Sequence, residues 1–329
     1  MPAEWEPHAA TWLTWPRPDG ISFPGGYEVV PPVLARLVRL IAEGEAVHIN
    51  IWDTELERLA QRALEAEGTP MAGVHFHPFP AYEPWCRDHG PLFVVRPDGN
   101  RAIVNWGYNA WGGKYPPFDL DDGIPAKVAT ALGLPLFEPE MILEGGSIDV
   151  NGAGKLLTTE SCLLHPNRNP HLAKRDIESR LGDFLGIENI TWLGEGIEGD
   201  DTDGHVDDLS RFVDSDTVVT VVEPNPNDPN HAPLQANREQ LGQAFKVIEL
   251  PMPKRVEIDG QRLPASYANF YISNARVIVP TYRDANDERA LGLLREAFPG
   301  RTVTGLDSMD LIWGLGSFHC LTQQEPAGN

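Results

Sequence analysis

A chain of 329 residues with 26 Lys and Arg against 48 Asp and Glu carries a net charge of −22, a field that disfavours nucleic acid and anionic membrane surfaces and attracts small cations. With 31 Gly, 30 Pro and 3 widely spaced Cys, the composition suits a turn-rich domain with a sizeable core and excludes a disulfide framework. No stretch approaches the roughly 18 apolar residues of a membrane span, and the opening MPAEWEPHAATW lacks the basic and apolar regions of a secretion signal, so a soluble cytoplasmic protein is expected.

In chain order, helical spacing predicts helices over 31–43, 54–67, 123–133, 170–185, 233–242 and 286–298. The second is the best marked. Thr54 and Glu57 form a capping-box pattern, Leu56, Leu59, Ala63 and Leu64 share an apolar face, and Gly68 stands where a C′ glycine belongs. In the fourth, Pro170 suits a first helical turn after Asn169, and Ile177, Leu181, Phe184 and Leu185 recur at helical spacing before Gly186.

Between these helices run short β-type segments at 46–52, 91–95, 101–106, 155–159, 217–222, 245–250, 268–272 and 276–281. Pairs of strands alternate with single helices. That order predicts an α/β array whose units place strands inside and helices outside, although no strict sequence repeat is visible. The proline-rich stretch 223–233 reads as a long loop within one domain spanning 1–329.

Glycine-marked loops hold the residues that could do chemistry. Trp85-Cys86-Arg87-Asp88-His89-Gly90-Pro91 precedes an apolar strand, where functional side chains are often presented. Asp88 suits a cation, although the motif alone favours pairing with Arg87 or capping a turn. Glu144-Gly145-Gly146 follows an apolar run, so its carboxylate is expected to be partly buried and to need a partner, unless it is an ordinary exposed turn residue. Trp85 and Trp111 could wall a pocket or simply fill the core.

The acidic run DDTDGHVDD (200–208) invites a metal reading. It departs from the calcium-loop template at two positions, Gly199 and Ser210, and zinc would need further His or Cys ligands at short spacing. His75 and His77 form an HxH pair, which fits alternation along a strand. No metal is therefore expected. His205 and Asp207, two residues apart, would share a face in an extended segment, pairing an imidazole with a carboxylate. GYNAWGGK (107–114) has one residue too many before Lys114 for a phosphate loop, and Tyr115 stands where Ser or Thr is required.

Near the C-terminus, Cys320 lies in WGLGSFHCLTQQ (313–324), an uncharged segment that reads as ordered and buried. One thiol, one histidine and three carboxylates suit thiolate attack on a carbon activated by positive charge, with histidine as acid and base. A guanidinium is such a carbon, and paired carboxylates match its planar N–H groups. A non-catalytic protein that binds cations or metal ions is the other reading of the same residues.

Seven segments in order, WEPHAATWLTWP (5–16), WCRDHGP (85–91), EGGSI (144–148), LLTTESCLLHPNRNP (156–170), GHVDD (204–208), SYANFYI (266–272) and WGLGSFHCLTQQEP (313–326), resemble the agmatine deiminases. These are related to the Porphyromonas-type peptidylarginine deiminases of the guanidino-modifying pentein superfamily. The resemblance implies a five-bladed α/β propeller with its site on the central axis. It implies Cys320 as nucleophile, His205 as general acid and base, Asp88 and Asp207 clasping the guanidinium, and Glu144 orienting His205. No cofactor is implied, the partner is a small cationic guanidine substrate, and relatives suggest a homo-oligomer. Free or peptidyl arginine is the alternative substrate. The chain departs from the plant-type members at Asp203, where they carry Asn.

Overall fold

Four of the apolar runs predicted as strands, 101–106, 155–159, 217–222 and 276–281, become the middle strand of a three-stranded sheet, flanked on both edges. The computed structural model describes residues 1–328, and in it five sheets of three or four strands share one connectivity. A first strand pairs antiparallel with a second, a helix follows, and a third strand returns parallel to the second, as a crossover through a helix requires.

In the second unit Leu92–Val95 pairs with Arg101–Val104, the helix Ile124–Leu132 follows and Leu136–Phe137 closes the sheet. The third runs Asp149–Val150, Lys155–Thr159, helix Lys174–Leu185 and Asn189–Leu193. The fourth runs Ser210–Phe212, Thr217–Val222, helix His231–Leu241 and Lys246–Pro251. The fifth runs Tyr271–Ile272, Arg276–Thr281, helix Asp287–Ala297 and Thr302–Asp307. A small hairpin, Glu257–Ile258 with Gln261–Arg262, stands apart from them.

The first unit is assembled from both chain ends. Thr322–Pro326 pairs antiparallel with His8–Thr14, to which Ala46–Asn50 adds in parallel after the helix Val30–Ile41. The helix Thr54–Ala66 and the strand Val74–His77 extend this sheet by one more parallel member. Every residue of Thr322–Pro326 is buried. Trp12 Nε1 donates to Glu325 Oε2 at 2.8 Å, and Arg101 of the second unit pairs with the same carboxylate. This closure holds the segment carrying Cys320 in place.

Local details correct the sequence reading. The cap of Thr54–Ala66 is Asp53, which accepts from Glu55 N at 3.0 Å and Leu56 N at 2.8 Å, so Thr54 already lies in the first turn. Gly68 adopts φ +70, as a C′ glycine should. The helix predicted from 170 begins at Lys174, because Asn169 uses its side chain on both backbone groups of Ile142, at 2.9 and 2.8 Å, and Arg168 turns toward the interior. Asp176 accepts from Ala173 N at 2.9 Å and marks the true start. The strand predicted over 268–272 shrinks to Tyr271–Ile272, since Ser266–Phe270 is a buried loop. The loop after 223 ends earlier, with a helix from His231. No helix of the described residues is long and apolar enough to cross a membrane.

The Glu325 closure has a measurable consequence. Glu325→Ala leaves Trp12 and the largely buried Arg101 without their shared carboxylate, and is expected to lower unfolding stability by about 2 kcal/mol in a denaturant titration.

Candidate active site

The short segments that lead into the first strand of each unit all converge. One helical turn, Cys86–His89, precedes Leu92 and carries Asp88; Glu144 precedes the turn Gly145–Ser147 ahead of Asp149. His205 precedes the turn Val206–Asp208 ahead of Ser210, and the turn Phe318–Leu321 carries Cys320 into Thr322. The fifth such segment, the loop before Tyr271, brings Asn269. Equivalent positions in five similar units thus deliver the site, and the sequence reading had missed the Asn269 contribution.

Asn269 anchors the thiol. Its Oδ1 accepts from His319 N at 3.1 Å and Cys320 N at 3.3 Å, and its Nδ2 donates to Cys320 Sγ at 3.0 Å and to Asp208 Oδ1 at 3.0 Å. Cys320 Sγ lies 3.6 Å from Asp207 Oδ2. Burial, and then the carboxylates of Asp207, Asp208 and Asp88, push the Cys320 thiol well above its usual range. Without a ligand the sulfur is therefore protonated.

Asp88 accepts from Trp111 Nε1 through Oδ2 at 2.9 Å and from Gly146 N through Oδ1 at 3.0 Å. Burial raises its carboxyl to about 6, against the nearby His205. His205 Nδ1 is 3.6 Å from Asp88 Oδ1. Burial favours the neutral ring, but Asp88, Cys162 and Glu144 outweigh it and hold His205 well above the usual histidine range. Neither ring nitrogen has a hydrogen-bond partner.

Asp207 presents one bound and one free oxygen. Oδ2 takes a 2.7 Å hydrogen bond from His319 Nδ1, while buried Oδ1 has no partner. Burial works against its charge, but His319, His205 and Arg211 keep the carboxyl below its ordinary value. His319 Nε2 continues to Glu4 Oε2 at 2.8 Å. The predicted extended stretch from His205 to Asp207 is not observed, because Asp207 lies within the turn Val206–Asp208. The two side chains meet the site from different directions, His205 toward Asp88 and Asp207 toward Cys320.

Glu144 is fully buried, with Oε1 bonded to Arg168 Nε at 2.8 Å and Oε2 without a partner. One ligating atom each from Glu144, His205 and Cys162 lie within 4.8 Å of one another. Arg168 also reaches Asp203 at 2.5 Å, and Asp203 takes Lys114 and Asn167 at 2.9 Å each. Its partial burial works against ionisation, yet Asn167, Lys114 and Arg168 lower Asp203 to about 2. The acidic run therefore serves as a braced wall. His75 and His77 lie on Val74–His77, where His77 Nε2 is 2.7 Å from His48 Nδ1, as alternation along a strand implies.

Above Cys320 and Asp88 opens a cavity of about 260 Å³, walled by Trp85, Trp111 and Trp313 and lined also by Glu83, Asp201 and Tyr115. None of its lining residues is Lys or Arg. Two glycines make room. A Cβ on Gly316 would come 2.5 Å from Trp85, and one on Gly146 would lie 2.6 Å from His205 Nδ1, 2.8 Å from Asp88 Oδ1 and 3.0 Å from Asp207 Oδ2. Gly146 thus leaves open the space that the imidazole and both aspartates face.

A thiol beside Asp207 lies, with Asp88, at the floor of a cavity whose lining holds no Lys or Arg, and an imidazole stands next to Asp88. Residues 1–326 match the Porphyromonas-type peptidyl-arginine deiminase family, and the chain belongs to it. An agmatine deiminase of Pseudomonas syringae pv. syringae is 36% identical over 358 residues, covering 99% of this chain and 95% of that protein. The structure of a Cys-to-Ser agmatine deiminase of C. jejuni with substrate bound matches with a TM-score of 0.92 at 32% identity, covering 100% of this chain and 96% of that one. An agmatine deiminase of Enterococcus faecalis matches at 0.91 and 33%, covering 99% and 95%. A Microseira wollei amidinotransferase, at 12% identity and a TM-score of 0.51, shares the mixed α/β fold.

Gly146→Ala is expected to leave the fold intact, by circular dichroism and thermal melting, yet to cut turnover of a guanidine substrate by about 100-fold or more, because the methyl group displaces the imidazole and both aspartates.

Proposed function

We propose that this chain is an agmatine deiminase, converting the guanidinium of agmatine to N-carbamoylputrescine and ammonia. The observation that carries this reading is the cavity itself. Its floor holds Cys320 and Asp88, its lining adds Asp201 and Glu83, whose carboxyl burial raises to about 7, and no Lys or Arg lines it to receive the carboxylate of free arginine, Lys114 being turned to Asp201 and Asp203. A substrate cationic at both ends fits such walls.

Asp88 and the free Oδ1 of Asp207 accept the planar N–H groups of the guanidinium. Bound positive charge reverses the carboxylate field that keeps Cys320 protonated, so the thiol gives its proton to solvent as substrate enters, leaving a thiolate to which Asn269 Nδ2 donates. Cys320 Sγ attacks the guanidinium carbon. His205, held as imidazolium by its carboxylate neighbours, gives its proton to the departing nitrogen, which leaves as ammonia. A covalent thiouronium remains. The now neutral His205 takes a proton from water, the hydroxide adds to the same carbon, and the C–S bond breaks to release the ureido product and the sulfur.

Glu144 charge-balances His205 from below while Arg168 fixes one of its oxygens. Trp85 and Trp111 wall the alkyl chain. Within this reading the five units are blades around a central axis, residues 1–329 form one catalytic domain, and each blade contributes to the site from the segment before its first strand.

Cys320→Ser is expected to abolish ammonia release from agmatine while binding, read by calorimetry, persists; full turnover by that variant would end the thiouronium mechanism. A panel of agmatine, arginine and peptidyl-arginine, assayed for ureido product, is expected to show agmatine strongly preferred. The pH profile follows from Asp88. Its carboxyl, raised to about 6, is charged above that pH and protonated below it, so kcat/KM is expected to fall as pH drops through about 6, measured against a substrate that stays cationic.

A further inference from the structure

Cys162 forms no bond to substrate in the deimination chemistry, yet its sulfur sits beside the proposed acid-base histidine. It is fully buried on the turn Glu160–Leu163. Thr159 Oγ1 accepts from Cys162 N at 3.2 Å and donates to the Gly204 carbonyl at 2.6 Å. One hydroxyl therefore ties the turn that carries the thiol to the residue just before His205.

We propose that Glu144, Cys162 and His205 form a binding site for a thiophilic divalent metal ion of the zinc and cadmium type, buried behind Asp88, which lines the substrate cavity and lies 3.6 Å from His205. Three observations converge. The carboxylate oxygen, thiol sulfur and imidazole nitrogen lie within 4.8 Å of one another. Both ring nitrogens of His205 and Oε2 of Glu144 are buried without a hydrogen-bond partner. The donors come from three separate segments, each independently braced: Glu144 by Arg168 at 2.8 Å, His205 N by Asp200 at 3.1 Å, and Cys162 by Thr159.

The donor set selects the metal. One sulfur, one nitrogen and one oxygen are the ligands zinc takes, with the fourth position open to water, whereas magnesium and calcium prefer oxygen alone. In a tetrahedral site with bonds of about 2.0 to 2.3 Å, donors stand roughly 3.3 to 3.8 Å apart, so the three groups close in by about 1.5 Å at most. Binding forms one bond each to sulfur, nitrogen and oxygen and releases the thiol proton and one imidazolium proton to solvent. The acidic cavity above draws the ion in.

The functional consequence rests on the deiminase reading: a ring nitrogen bound to metal cannot carry the proton for the leaving ammonia, so the ion is a reversible inhibitor that leaves Cys320 untouched. Binding itself does not rest on that reading. It is tested by titrating Co²⁺ into the full chain and following the thiolate-to-cobalt charge-transfer absorption. The band is expected to persist in Cys320→Ser and to vanish in Cys162→Ala and Cys162→Ser. A band lost in Cys320→Ser but kept in both Cys162 variants, or no band in the unaltered protein, overturns the proposal. In turnover assays, buffered Zn²⁺ is expected to inhibit reversibly on addition of chelator, with its half-inhibitory concentration raised about tenfold or more in Cys162→Ala. Equal inhibition of both proteins would likewise overturn it, and inactivity toward agmatine would leave the cobalt result to decide the site alone.

Discussion

One buried carboxylate, Glu4, ties the molecule together beneath the site. It pairs with Arg87 at 3.0 Å, with Arg211 at 3.0 Å and with His319 at 2.8 Å, and accepts from the backbone of Ile272 at 2.8 Å. Those partners belong to the second, fourth, first and fifth units. Burial alone would protonate Glu4, but Arg211, His319 and Arg87 hold its carboxyl well below the ordinary range. A charge so placed is stable only while all its partners are present, so the N-terminal segment fixes how the units meet. Asp149, which takes Arg211 Nε at 2.8 Å, extends the same network.

Above this network the charges are arranged less comfortably. Asp88 is driven up toward neutrality by burial, the Cys320 thiol is held protonated by burial and its carboxylate neighbours, and three polar atoms of His205 and Glu144 lack partners. Each is a local cost that a planar cation would relieve, since it supplies both N–H donors and positive charge. The strain therefore lies where binding can release it. Rigidity comes from the surroundings: Asn269 pins the Cys320 backbone, Arg168 fixes Glu144, and His319 orients Asp207 by bridging it to Glu4.

Legibility followed burial. The middle strands at 101–104, 155–159, 217–222 and 276–281 stood out because a strand flanked on both edges is apolar along most of its length. Outer strands such as Asp149–Val150 and Leu136–Phe137 are two residues long and carry no period to detect. Asp53 was overlooked as a cap because Thr54 satisfied the same pattern one residue later. Asn169 and Arg168 resembled a helix start, but Glu144 and Ile142, distant in sequence, claimed their side chains. Of the site residues, Cys320, Asp88, Trp85 and Trp111 line one cavity, while His205 and Asp207 are buried beside Asp88 and Cys320 and Glu144 lies near His205. Asn269, His319, Glu4, Arg168 and Cys162 were hidden, since none stands in a pattern whose spacing demands chemistry.

The sequence by itself determined the alternation of strands and helices, the acidic balance that favours a cation, and the short glycine-marked segments that bear reactive side chains, because these depend on local composition and neighbouring residues. Only the tertiary structure decided that five such segments share one point, that Asp207 reaches Cys320 while His205 reaches Asp88, and that a second thiol lies beside the histidine. The physical reason is that these contacts join residues more than 40 positions apart through parallel and antiparallel pairing, closed by the last strand against the first. No local pattern encodes a distance that only the assembled sheets set.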